Sequence, residues 1–304
     1  MTDTSPLLDN VLDTCEAALA RMEDLVNAAT HGVGRRVLDE DGRIAAEALE
    51  AEEMAAHGLA WYATYLEALR QMLAWGRRLE AAGQLSELEA LMVQAAFGEY
   101  IAQMIGGLPI SQGEIVRPAD MDVDTKAVHG LFNEAVSALR HRGNSAAVQK
   151  RIAHLAADGN HGAWGLDDET LDLIRDQFRR FTEDQVVPHA QEWHLDDTLI
   201  PDDLIEQMAE MGVFGLTVPE EHGGLGMGKT AMCVVTEELS RGWIGVGSLG
   251  TRSEIAGELI RLGGTDDQKA EWLPGIATGE ILPTAVFTEP NVGSDLGSLR
   301  TRAI

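Results

Sequence analysis

Three glycine-rich stretches carry residue types that hold phosphates, and each makes its own demand on its surroundings. Gly223-Gly-Leu-Gly-Met-Gly228-Lys229-Thr230 fits the pattern GxxxxGK[ST]. In a phosphate loop of that kind, backbone N–H groups cradle the phosphates, the lysine reaches the β- and γ-phosphates, and the hydroxyl holds magnesium. Such a loop follows directly from a buried strand. Here Pro219, Glu220, Glu221 and His222 intervene, and two carboxylates stand just upstream, where they would repel a nucleotide triphosphate. The regular alternation of strands and helices that a parallel sheet requires is missing as well. The stretch therefore reads as a glycine-rich turn opening a helix, with a nucleotide hydrolase using Lys229 and Thr230 as the alternative.

The second stretch, Gly245-Val-Gly247-Ser-Leu-Gly250, is formally GxGxxG. A dinucleotide fingerprint of that form must sit between a strand and a helix. The preceding residues, 231–240, read as a helix, so this stretch is expected to be a loop between helices. The third is Thr288-Glu289-Pro290-Asn291-Val292-Gly293-Ser294-Asp295, placed after the apolar, partly β-branched run 281–287. Strand, Pro-Asn turn and Gly-Ser-Asp make a loop whose successive N–H groups can converge on an anion. Gly293 permits close approach of a pyrophosphate, and the Ser294 hydroxyl can donate to it. On residue types alone, a simple turn between two strands fits equally well.

The elements that must position these stretches are almost all helical, and the expected fold is mainly α. Over 44–82, Leu59, Tyr62, Leu66, Leu69 and Leu73 recur at steps of three and four, one face of a helix. Gly83 stops it. Ser86 stands three residues before Glu89, the spacing of a capping box, and opens a second helix to about Met104. Asp124 can cap a third, with Val128, Leu131, Ala135 and Leu139 on its buried side, ending near Gly143. Long helices joined by short turns predict an antiparallel bundle. The stretch 158–165 has no periodicity, so the domains are expected at 1–158 and 159–280, with a further segment at 281–304. In the second domain Leu171, Ile174, Phe178 and Phe181 share a helical face, and Pro188 marks its end or a kink. Helices are also expected over 205–211, 230–240, 252–262 and 266–277, and a strand over 281–288.

Composition narrows the function further. The 304 residues carry 50 acids and 23 bases, a net charge of -27, which argues against nucleic acid or an anionic membrane as partner. No apolar run reaches the ~18 residues of a membrane span. Cys15 and Cys233 stand alone, so neither a zinc site nor a disulfide framework is expected, as suits a reducing cytoplasm. No metal site is expected either. The lone His31, His57 and His129 of the first half suggest no chemistry, which leaves a non-catalytic helical interaction module as another reading of residues 1–150.

Five motifs occur together in an order that resembles the flavin-dependent acyl-CoA dehydrogenases. They are Val218-Pro-Glu-Glu-His-Gly-Gly-Leu-Gly226, Glu237-Glu-Leu-Ser240, Gly264-Thr-Asp-Asp-Gln-Lys269, Trp272-Leu-Pro274 and Thr288–Asp295. The resemblance covers about 166–304. The preceding extension is similar to the extra N-terminal domain of the family's (2S)-methylsuccinyl-CoA dehydrogenases. Its Glu99-Tyr-Ile-Ala-Gln-Met104 and Ile110-Ser-Gln-Gly-Glu-Ile115, together with Gly247-Ser-Leu-Gly-Thr-Arg-Ser-Glu-Ile255, carry that likeness.

The resemblance implies FAD as cofactor and an acyl-CoA thioester as substrate. Phe287 and Thr288 would contact the flavin ring, Gly293 and Ser294 would line the pyrophosphate, and Ser294 would border the thioester. Phe287 is bulkier, and Val292 larger, than the family's usual residues. A dicarboxylic branched acyl-CoA would need a cation for its distal carboxylate, and Arg252 is the candidate. The family also implies a helical domain, a middle β-domain and a C-terminal bundle carrying the catalytic glutamate. It further implies electron-transferring flavoprotein as partner, and a homo-oligomer. The chain is accordingly expected to stop early in the β-domain, with no catalytic base of its own, weak flavin binding and no turnover alone. Residues 281–304, holding at most two strands, are expected to be disordered or to pair with something outside this sequence.

Overall fold

The structure, a computed structural model, describes residues 6–157, 159–166 and 168–302. It divides into two units, Met1–Gly165 and Leu166–Ile304. Residues 159–165, assigned to the second domain on sequence, belong to the first, because three side chains of the first unit hold their backbone.

The first unit is built on three long helices: α1 (Val11–Val37), α3 (Glu53–Ala81) and α4 (Glu87–Gly106), with the short α2 (Ala46–Ala51) between the first two. On α1, Val11, Cys15, Leu19, Met22, Val26, Ala29, Val33 and Val37 are buried at steps of three and four. Sequence periodicity beginning at 44 did not single out this helix. On α3 the expected face is the buried one, with Tyr62, Leu66, Leu69 and Leu73 in the core and Leu59 half-buried. Each such burial is worth ~1.5–3 kcal/mol over exposure. α4 starts at the expected capping box, where the Ser86 side chain accepts from the backbone of the first turn and Glu89 reaches back to the Ser86 N–H.

Between 107 and 123 a two-residue hairpin pairs β1 (Leu108–Pro109) with β2 (Ile115–Val116), and a 3-10 turn follows. The third helix expected over 124–143 is broken. Asp124 caps α5 (Thr125–Gly130) as foreseen, but Asn133 then caps a new helix, α6 (Glu134–Ala138), its Oδ1 accepting from Val136 N at 2.8 Å. An asparagine offers the backbone a local partner that competes with the helix ladder. The buried face survives the break, with Leu131 and Leu139 in the core. A wide turn, Leu139–Gly143, leads into α7 (Ala146–Ala156).

In the second unit Asp168 caps α8 (Glu169–Phe181), whose Leu171 and Phe178 are buried. Pro188 does not end the helical path. A wide turn, Thr182–Val186, precedes α9 (Val187–Leu195), and the proline sits in its first turn, where a missing N–H costs nothing. α10 (Asp202–Glu210) stops at Gly212, whose φ of 79° is left-handed. Val213, Phe214, Leu216 and Val218 are buried, and the glycine-rich loop folds back on them, Leu225 N donating to Gly215 O and Met227 N to Leu216 O. Helices α11 (Lys229–Gly242), α12 (Ile244–Gly263) and α13 (Asp266–Ala277) complete the unit.

Two expectations fail here. Gly245–Gly250 is not a loop but the first turns of α12. Its glycines serve packing: a Cβ on Gly247 would lie 2.0 Å from Ser240 Oγ, and one on Gly250 2.8 Å from Val213 Cγ1. The strand expected over 281–288 is also absent. Burial alternates from Ile281 to Val286 with the period of an extended chain, but no strand among the described residues pairs with it.

Candidate functional site

The loop after this extended run is built from its own sequence. Ile281 N donates to Gly275 O at 2.9 Å, which ties the start of the run to α13. The chain turns at Pro290-Asn291, where Glu289 and Val292 exchange backbone hydrogen bonds of 2.9 and 3.2 Å. Val292 is the buried anchor of the turn. The Glu289 carboxylate accepts from the N–H groups of Arg300 and Thr301 and from the Thr301 hydroxyl. These bonds, the Thr301 hydroxyl foremost, hold its pKa below the usual carboxylate range. Glu289 thus fastens the loop to the segment that follows.

What the turn presents is a set of donors. The amides of Gly293, Ser294 and Asp295, three in succession, give no hydrogen bond to any described residue, and neither do the hydroxyls of Thr288 and Ser294. A Cβ built on Gly293 would meet nothing within 4 Å, so the backbone there is open to close approach. The Asp295 carboxylate, the charge nearest in sequence that would repel an anion, is engaged by the Ser298 hydroxyl. Phe287 is 38% exposed beside them in sequence. Successive amides and two hydroxyls with no partner among the described residues are suited to binding an anion such as a pyrophosphate.

The structure treats the other candidates differently. Arg252 is exposed on α12 and has no ion pair among the described residues, nor does a hydrogen bond join it to 287–294. Lys229, the would-be phosphate lysine, is spent on two carboxylates of α12. It hydrogen-bonds Glu254 and lies 3.2 Å from Glu258. Burial would lower its pKa, but the two carboxylates more than offset that and raise it. A 3-10 turn, Glu220–His222, precedes its loop in place of a strand. Glu254 and Glu258 escaped the sequence reading, although their spacing of four on one helix was a usable signal. That the amides of 293–295 have no partner among the described residues could not be read from residue types, since every residue but proline has such a donor.

Residues 168–280 match the family model described as "Acyl-CoA dehydrogenase, N-terminal domain". A protein named (2S)-methylsuccinyl-CoA dehydrogenase, from Cereibacter sphaeroides, is 56% identical over 98% of this chain and 54% of its own length. The chain belongs to the acyl-CoA dehydrogenase family. A mitochondrial isovaleryl-CoA dehydrogenase of Solanum tuberosum is 34% identical over 45% of the chain and 34% of its own length. The solved acyl-CoA dehydrogenase of Geobacillus kaustophilus shares 31% identity over 44% of this chain and 35% of its own, with a TM-score of 0.39. The chain thus spans about half, or less, of the length of the relatives it matches. The likeness to the Cereibacter protein runs through both units, whereas the likeness to the potato protein covers less than half the chain.

Proposed function

We propose that this chain supplies the flavin- and substrate-holding part of an acyl-CoA dehydrogenase acting on (2S)-methylsuccinyl-CoA to give a mesaconyl-type enoyl-CoA. The observation that carries the reading is the donor set at 293–295 within a chain so similar to a protein of that name. The residues fit FAD. Gly293 and Ser294 would receive its pyrophosphate, and Phe287 and Thr288 would lie along the ring. FAD supplies the hydride acceptor when bound. The protein's share is to hold the thioester so that its α-proton can leave to a base while the β-hydride has an acceptor within reach. Ser294 would border the thioester, and Arg252 would meet the distal carboxylate. None of the described acids is assigned as the base; Glu289 is already committed to residues 300–301. Electron-transferring flavoprotein as acceptor and a homo-oligomeric assembly belong to the same proposal.

The test is a titration of the 304-residue chain with FAD, followed by flavin fluorescence, beside Gly293→Val and Ser294→Ala. Because the Gly293 position is open, the valine leaves the fold intact and is expected to weaken FAD binding about tenfold, ~1.4 kcal/mol. Unchanged affinity in both variants, or binding of ATP with none of FAD, would overturn the reading.

A further inference from the structure

Glu89 is buried to 3% exposure, yet the capping box of α4 uses only one of its carboxylate oxygens. That oxygen, Oε2, accepts from the Ser86 N–H at 2.9 Å and from the Ser86 hydroxyl. The other, Oε1, accepts from Ala163 N at 2.7 Å, across 74 residues of sequence. Ala163 lies in the stretch His161-Gly-Ala-Trp-Gly165, which has no regular secondary structure. Its carbonyls are taken as well. The Trp75 indole N–H reaches the carbonyls of Trp164 at 3.0 Å and Ala163 at 3.3 Å, and Arg78 Nε donates to Gly165 O at 3.2 Å. Gly162 and Gly165 both have left-handed φ, 86° and 63°. A Cβ on Gly165 would lie 2.9 Å from Leu79 Cδ2, and one on Gly162 3.3 Å from Glu89 Oε1. Side chains of α3 and α4 thus read the backbone of this stretch group by group.

We propose that residues 161–165 are a strap latched onto the first unit by Glu89, with Trp75 and Arg78 as its further clasps, so that the chain leaves that unit at a fixed point. In this arrangement Glu89 has two separable roles, one as helix cap through Oε2 and one as latch through Oε1. Opening the strap would strip the buried Oε1 of its donor, which makes the closed form the low-energy one.

The experiment is native-state hydrogen exchange at the Ala163 amide, with limited proteolysis of 160–166, on the full 304-residue chain. Glu89→Gln keeps one side-chain acceptor for two competing donors. It is expected to speed Ala163 exchange at least tenfold. Trp75→Phe keeps most of the packing, loses the indole donor, and is expected to raise cleavage within the strap. Ser86→Ala removes the cap hydroxyl while sparing the Ala163 bond, and is expected to leave Ala163 exchange unchanged. The latch is disproved if wild-type Ala163 exchanges at the unprotected rate, or if Ser86→Ala opens the strap as far as Glu89→Gln does. It is equally disproved if Trp75→Phe leaves cleavage as it was, a readout that holds even should the glutamate variant fail to fold.

Discussion

The two units differ in how far their buried polar side chains are matched. In the first, buried polar side chains are matched by partners. Gln94, fully buried, accepts from Leu8 N at 2.7 Å and donates to Pro6 O at 3.1 Å, and the Tyr62 hydroxyl donates to Met104 O at 2.7 Å. In the second, the buried hydroxyls of Thr182 and Ser253 have no hydrogen-bond partner among the described residues, while Ile244, Leu259 and Leu262 of α12 lie exposed. A helix apolar on more than one side has the character of a buried element, and large apolar side chains exposed in number mark surfaces that associate. Both units expose large apolar side chains, Ile44 and Met54 in the first and those of α12 in the second, so the difference between them lies in the buried hydroxyls.

Several substitutions would break or sharpen the contrast. The largest effect is expected from Gly32→Val. A Cβ at Gly32 would stand 2.0 Å from the backbone carbonyl oxygen of Met121, which cannot move aside cheaply. A loss of about 3 kcal/mol or more is expected in denaturant unfolding, against less than ~0.5 for Gly293→Val. Equal losses would erase the distinction between a packed and an open glycine. Next is Tyr62→Phe, which removes the hydroxyl donor from the buried Met104 carbonyl and should cost ~1–2 kcal/mol, whereas Ser253→Ala, removing a hydroxyl with no partner among the described residues, should be neutral or stabilising. If the serine variant proves the worse of the two, Ser253 has a partner that the isolated chain lacks.

The pH dependence of the first unit follows from Glu89. Burial alone would raise its pKa, but the hydrogen bonds from Ser86 and Ala163 outweigh that and hold it below the usual range. A depressed folded pKa means its contribution is complete above the ordinary glutamate value, ~4.3, and is lost as pH falls through the lower folded value. Acid titration of the first unit's melting temperature, wild type against Glu89→Gln, should therefore converge only below about pH 4. The smallest effect is expected at Lys229→Ala. Its pair with Glu254 and Glu258 is more than half exposed on the lysine side, so ~0–1 kcal/mol is at stake. Nucleotide binding should be unchanged, and a loss of ATP affinity would restore the phosphate-loop reading.

How far the site was legible depended on how local each feature is. Ser86 and Glu89, Asp124, and the face Tyr62-Leu66-Leu69-Leu73 could be read directly, because a cap or a helical face is settled within a few residues. The break at Asn133 was just as local and was passed over, since the apolar period runs on across it. The motif 288–295 could be placed by its glycine, serine and turn residues, but not the contact of Glu289 with residues 300–301, eleven and twelve positions on.

The helical class, the starts of α4, α5, α11 and α13, and the order of motifs that marks the family could be read from residue types and spacing alone. Long-range contacts alone show that Gly247 and Gly250 serve helix packing, that Lys229 answers to Glu254 and Glu258, that the run from Ile281 has no strand beside it among the described residues, and that Glu89 holds Ala163. The reason is the range of the interactions. A cap is closed by neighbours three residues away, while a close approach, an ion pair or a strand needs a partner from a distant part of the chain, and residue type alone does not name that partner.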